Sequence, residues 1–310
     1  MSAPGASPPF RAYAQLHIAV VLYGFTAILG RLISLPGTTL TWYRMAFTLL
    51  SLCLIPGIWR AIRSIPIRDR WYIAVIGCLM ALHWGTFFEA IKYANVSITL
   101  SCLASTAFFT SLLEPWLLKR PFYWYEPLLG LIVIGGLILI SFYGFAEPSY
   151  LIGVGLSIVS AMLIALASVM NKRMVASHDI FAITAIEFAA GVLLLSLLMP
   201  VYLAFFPTPY LLTEGMDLVY LLILSLLCTT FAYTLTMRAM KKVSAFTAML
   251  AMNLEPIYGM VMAYFFFRED KELTGLFYLG AFLILSSVLI HPWLVSRFSK
   301  KDPADQRPAG

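Results

Sequence analysis

The residues of this chain that could do chemistry sit inside runs of apolar sequence, where a polar side chain is costly and faces other protein or a cavity. Glu255 is the sharpest of them. Pro256 follows it and Asn253 precedes it by two positions. Proline has no N–H, so Pro256 leaves the carbonyl of Met252 without its helical hydrogen bond. A carboxyl beside a broken helix can bind a cationic group or carry a proton, and loss of water favours its uncharged form. Its plainer use is to hydrogen-bond helix-end groups. At a similar depth along their own runs lie Tyr23 and Thr26, His83 and Trp84, Ser105 and Thr106, Thr230 and Tyr233, and Tyr258. His83 reads first as a core histidine with its hydrogen bonds met. Tyr23, Trp84 and Tyr233 either form an aromatic pocket or simply pack. The substrate-binding set expected from depth is Tyr23, Thr26, His83, Trp84, Thr106, Tyr233, Asn253, Glu255 and Tyr258.

A second group is charged. Counting from the ends of the apolar runs puts Arg31, Arg44 and Glu89 near one surface, and Glu114, Lys172, Glu187 and Arg238 near the other. The expected pairs are Arg44 with Glu89, and Glu187 with Lys172 or Arg238. They serve either as gates that form and break or as static pairs near the headgroups. No Lys or Arg is expected at the midplane. Cys53, Cys78, Cys102 and Cys228 all fall in apolar runs and no two have metal-ligand spacing, so they read as buried thiols. No metal and no cofactor is expected. No G-x-x-x-x-G-K phosphate loop is present, so the chain supplies no ATPase of this type.

The elements that must position these residues are membrane helices. Of 310 residues, 61% are hydrophobic and 12% charged, too few charges to cover a surface in water. Each crossing needs about 20 apolar residues. Ten runs qualify: Ala14–Ser34, Leu40–Trp59, Trp71–Ile91, Ser97–Leu118, Glu126–Tyr143, Leu151–Arg173, Ile180–Phe205, Leu218–Ala239, Ala245–Phe267 and Thr274–Val295. With the N-terminus in the cytoplasm, the inner segments hold 16 Lys and Arg and the outer ones 4. That asymmetry supports ten spans with both termini cytoplasmic in the cell membrane. It also argues against nucleic acid as a partner, since the basic residues lie in loops and not on one polar face. Residues 1–13 lack the basic flank and cleavage site of a signal peptide. They and residues 297–310 read as disordered.

The spans repeat. Gly130, Gly135 and Ser141 recur as Gly275, Gly280 and Ser286 at an offset of 145. Thr41 and Ala46 recur as Thr184 and Ala189 at 143, and Val96-Ser97 as Val243-Ser244 at 147. This defines two five-helix repeats, 14–143 and 151–296. Five is odd, so the second enters the membrane inverted. The charges agree: Arg60, Arg63, Arg68 and Arg70 follow the second span, whereas Glu214 and Asp217 follow the seventh. Inverted repeats suit alternating access to one central site. The glycines permit close helix approach, within the protomer or in a homodimer.

The architecture resembles the EamA-type branch of the drug/metabolite transporter superfamily, over about Gln15 to Ser296. The likeness is carried by Trp42-Tyr43-Arg44-Met45-Ala46-Phe47, Asn253-Leu254-Glu255-Pro256, Phe267-Arg268-Glu269 and the glycines of the last span. The chain has Leu118-Lys119-Arg120-Pro121 where that family often has Gly-Glu. The resemblance implies an all-α membrane protein that moves small metabolites through a central cavity, not an enzyme. The expected activity is secondary transport, as an exporter, of a small polar or amphipathic metabolite such as an amino acid or organic cation. Partners are that small molecule, the lipid bilayer and protons as the candidate coupling ion. A phosphorylated-sugar or nucleotide-sugar carrier would need a midplane Lys or Arg. An intramembrane lipid-modifying enzyme would need a paired nucleophile and base, and His83 with Glu255 is the one conceivable set.

Overall fold

The computed structural model describes residues 10–94, 96–140, 151–205, 215–267 and 275–298, and every regular element within them is a helix. The order is α1 (Phe10–Leu32), α2 (Gly37–Cys53), α3 (Ile58–Ser64), α4 (Ile67–Tyr93), α5 (Val96–Leu103), α6 (Ser105–Leu118), α7 (Tyr125–Ile140), α8 (Leu151–Val175), α9 (Ile180–Phe205), α10 (Asp217–Ser225), α11 (Ala232–Met240), α12 (Ala245–Met252), α13 (Glu255–Phe267) and α14 (Gly275–Phe298). A π-helical segment, Leu226–Phe231, joins α10 to α11. Among the described residues, seven stretches are long and apolar enough to cross a bilayer, and eight if the bent pair α2–α3 counts as one.

The bounds differ from the sequence expectation where local chemistry breaks a helix. The expected second span, Leu40–Trp59, ends at Cys53 because Pro56 and Gly57 follow. Gly57 has φ 81°, a left-handed conformation open to glycine, and α3 leaves at 98° to α2. The expected fourth and ninth spans are each in two pieces, α5–α6 and α12–α13. α1 begins at Phe10, four residues before the expected start, and α14 runs on to Phe298. Ser141 and the end of the expected fifth span lie outside the described residues.

Apolar side chains form most of the core as well as the outer surface, while the charged groups that occur at membrane depth are buried away from lipid. Arg44, Glu114, Glu126 and Glu187 are buried, while Leu50, Leu193, Leu197, Phe265 and Leu289 are exposed. Trp71, Trp116, Trp124 and Trp293 are exposed near helix ends, where an amphipathic ring suits the headgroup level. Helices of the two sequence halves interleave: α1 packs on α11 and α13, α4 on α8 and α9, α6 on α8, and α7 on α14. Two of these contacts need glycine. A Cβ on Gly77 of α4 would lie 2.1 Å from the carbonyl oxygen of Glu187 on α9, and one on Gly136 of α7 would lie 2.9 Å from that of Gly280 on α14. Gly130 lies against Phe108 of α6. Gly130 and Gly280 therefore serve contacts within the protomer, whereas a Cβ on Gly135 or Gly275 would meet nothing within 4 Å.

Candidate functional site

Three interrupted helices bring polar groups to the middle of the bundle. α12 ends in tight turns, Asn253 N–H to the Leu250 carbonyl at 3.2 Å and Leu254 N–H to Ala251 at 3.1 Å. α13 restarts with Glu255 and Pro256, where a proline's missing N–H is harmless. The matching break between α5 and α6 falls at Ala104. In the π segment, the Thr229 hydroxyl donates to the Leu224 carbonyl (2.7 Å) and that of Thr230 to Ser225 (2.9 Å), each five residues back. Such widened turns recur at functional sites.

Between these breaks lies a cavity of about 110 Å³, room for a cluster of waters or a small molecule. Tyr23 and Thr26 line it from α1, His83 and Trp84 from α4, and Thr106 from α6. Tyr233 joins from α11, and Asn253 and Glu255 from the α12–α13 break. Eight of the nine residues picked by depth thus meet at one place. Tyr258 does not line it: its hydroxyl lies 3.5 Å from Nδ1 of His17, on the α13 face turned to α1. His83 is held through Nδ1, which lies 2.8 Å from the Ser160 hydroxyl and 3.0 Å from its carbonyl.

Arg44 is the main correction. It lines the cavity instead of pairing with Glu89 at a surface. It is 1% exposed; its Nε donates to the Thr229 hydroxyl at 2.7 Å and its guanidinium carbon lies 4.4 Å from the Trp84 ring centroid. The widened turn supplies that hydroxyl. Nη1 of Arg44 and Nδ2 of Asn253 are buried donors with no partner among the described residues. Thus the cavity holds a cation from the first half and a carboxyl from the second. Asn171 and Ser168 of α8 also line it. Their signal in the sequence was two polar residues three apart in an apolar run, which places both on one helix face.

The expected charge pairs do not form. Glu89 accepts from the Thr38 N–H and hydroxyl, both at 3.1 Å, and from the Tyr202 hydroxyl at 2.9 Å, which caps the start of α2. Lys172 donates to the carbonyls of Met240 (2.5 Å) and Val243 (2.7 Å) at the end of α11. Arg238 lies over the Phe181 ring at 5.7 Å. Glu187 accepts from the Tyr233 hydroxyl at 2.9 Å. For Glu89 and Lys172 the physical reason is that helix ends carry unpaired backbone groups and partial charge, and an ionised side chain satisfies them as well as it satisfies another ion.

One cluster of ions does form. Glu114 accepts from the N–H groups of Ala245 (3.0 Å) and Phe246 (2.8 Å), capping α12, and its Oε2 is 3.1 Å from Nη2 of Arg120. The same nitrogen bonds Glu126. Burial opposes the charge on Arg120, but Glu114 and Glu126 outweigh it and hold the guanidinium above its ordinary pKa. The end of α6 in one half is so tied to the start of α12 in the other.

A model of the EamA-like transporter family matches residues 11–142 and again residues 151–291. Comparison with curated proteins gave no match. Among solved structures, one described only as "Crystal structure of protein" is 16% identical to this chain. It superposes with a TM-score of 0.72 over 92% of this chain and 98% of its own, a likeness of fold. Two copies of one family unit, each a set of apolar helices contributing to a shared cavity, fill most of the sequence, and the chain belongs to the EamA-like transporter family of the drug/metabolite transporter superfamily.

Proposed function

We propose that the chain is a secondary transporter that moves a small zwitterionic metabolite, such as an amino acid, out of the cell. The observation that carries this reading is Arg44 and Glu255 in one cavity walled by Tyr23, Trp84 and Tyr233. Arg44 offers an unpartnered donor to a carboxylate, and Glu255 an acceptor to an ammonium group. The aromatic and methionine walls take the apolar remainder. Two family units, with an offset repeat and an odd number of spans in each, support ten helices in two inverted halves and alternating access. The excess of Lys and Arg on one set of loops supports cytoplasmic termini.

A second reading has an observation of its own. Arg44 at the cavity restores the basic group that a phosphorylated cargo needs. A phosphate brings a charge of about −1.5 to −2 at neutral pH. Against one Arg and one Glu, that leaves repulsion from Glu255 uncompensated, and a zwitterion fits better. The test is counterflow in proteoliposomes preloaded in turn with neutral amino acids, organic cations and sugar phosphates. Accumulation of amino acids is expected. Accumulation of sugar phosphates alone selects the second reading, and accumulation of none overturns both.

A further inference from the structure

We infer that Glu187 is the residue that binds and releases a proton during transport, and that the Tyr233 hydroxyl carries that proton to and from the cavity. The inference rests on the transport reading but uses a different carboxyl from the one offered to cargo.

Glu187 lies on α9 and is 0% exposed. Its Oε2 accepts from the Tyr233 hydroxyl at 2.9 Å, and its Oε1 has no partner among the described residues. A carboxylate buried without a cation is costly, and a proton removes the charge. Among the described residues no cation faces it from the elements packed around it; α3, which also packs on α9, carries Arg60 and Arg63, and both are exposed. α4 presents the backbone of Gly77, and α2 presents Met45 one turn further along, against Gly191. α8 presents Asn171, whereas Lys172 is turned to the α11 carbonyls. α11 presents Tyr233, whereas Arg238 lies over Phe181. Arg44 is engaged by Thr229 and Trp84, and His83 by Ser160. Among the described residues, the titratable group that touches Glu187 is Tyr233.

Tyr233 is also a wall of the cavity, its ring 6.2 Å from that of Trp84 and 5.9 Å from that of Phe188. One hydrogen bond therefore separates a buried acid from the cargo space. Asn171 Nδ2 donates to the phenol oxygen at 2.9 Å, so the phenol's own proton points to Glu187. Asn171 uses one of two lone pairs on that oxygen, and the other can receive a proton. In the uptake step a hydronium ion in the cavity gives a proton to the phenol oxygen and leaves a neutral water, while the phenol proton passes along its hydrogen bond to Glu187 Oε2. The phenol is neutral before and after; one proton and one positive charge move from the cavity to the carboxylate. Release is the reverse. The change of charge falls where α9 touches the backbone of α4 at Gly77, a contact between the two halves.

The experiment has two arms on the full-length protein in lipid. Infrared difference spectra on exchange into D2O are expected to show a carboxylic-acid C=O band that vanishes in Glu187→Gln and exchanges more slowly in Tyr233→Phe. Proteoliposome uptake of a radiolabelled mixture of neutral L-amino acids is then read with and without an imposed pH gradient. One proton per cargo gives up to about tenfold accumulation per pH unit in the wild type. In Glu187→Gln the ratio of uptake with and without the gradient is expected to fall to one. A spectrum with no band assignable to Glu187, or a gradient response in Glu187→Gln equal to that of the wild type, overturns the inference. If the wild type moves no amino acid, the transport reading fails and the infrared arm alone decides the proton site. If Glu187→Gln does not fold, the exchange rate in Tyr233→Phe decides, with an unchanged rate counting against the relay.

Discussion

Replacing Gly77 by alanine is expected to destabilise the bundle more than any comparable change on α4. The added methyl would lie 2.1 Å from the Glu187 carbonyl oxygen and 2.6 Å from its carbonyl carbon and Cα, against 3.4 Å for ordinary contact. α4 and α9 must therefore part by about 1.3 Å, the difference between 3.4 and 2.1 Å. The neighbour is backbone, so no side chain can swing aside. Forcing a methyl into a packed contact costs about 1–3 kcal/mol. If that cost falls on the unfolding rate, inactivation speeds up roughly 5- to 150-fold. Gly85→Ala on the same helix is the control: its methyl would meet nothing within 4 Å, and alanine favours a helix interior by about 1 kcal/mol. The assay is the fraction of monodisperse protein remaining in detergent over time at a fixed raised temperature. A Gly77→Ala protein as durable as the wild type, or Gly85→Ala the less durable of the two, would refute the close contact.

Further expectations concern the topology and the link between the halves. Reporter fusions at Gly310 and beside Thr213 are expected to give opposite sides, and a shared side would sink the ten-helix reading. Glu114→Gln removes the charge that accepts two N–H groups of α12. Hydrogen bonds to a charged group contribute about 1.5–3 kcal/mol, so amide exchange at Ala245 and Phe246 is expected to rise about 10- to 150-fold. Unchanged exchange at both would mean the cap is not formed.

Much of the site was legible in the sequence because depth along an apolar run is nearly a coordinate. Each residue advances about 1.5 Å along a helix, so Tyr23, His83, Thr106, Tyr233 and Glu255 could be assigned to one level before any packing was known. Pro256 announced the break between α12 and α13 through its missing N–H. Arg44 was misplaced because depth needs the right origin. The apolar run starts at Leu40, whereas α2 starts at Gly37, which moves Arg44 from about 6 Å to about 10 Å along the helix. The charge pairs failed for a different reason. A sequence shows which side chains are ionic but not which helix ends lie beside them. Glu89 found the start of α2, Glu114 the start of α12, Lys92 the carbonyls of Gly30 and Ile33 at the end of α1, and Lys172 the end of α11. The partner of Asn171 is not legible in the sequence, because one amide in a span gives no sign of facing a tyrosine 62 residues away.

Transport through the cavity between Arg44 and Glu255 is tested most directly by removing each charge and comparing a cargo that has a carboxylate with one that lacks it. Counterflow is measured in proteoliposomes for an amino acid the wild type moves and for the amine formed by removing its carboxylate. Arg44→Gln is expected to lower uptake of the amino acid about 10- to 150-fold, the equivalent of one charged hydrogen bond of about 1.5–3 kcal/mol. It should affect the amine little. Glu255→Gln is expected to lower uptake of both, since both carry the ammonium group. Folded Arg44→Gln and Glu255→Gln proteins that each move both cargoes at the wild-type rate would contradict a transport path through this cavity.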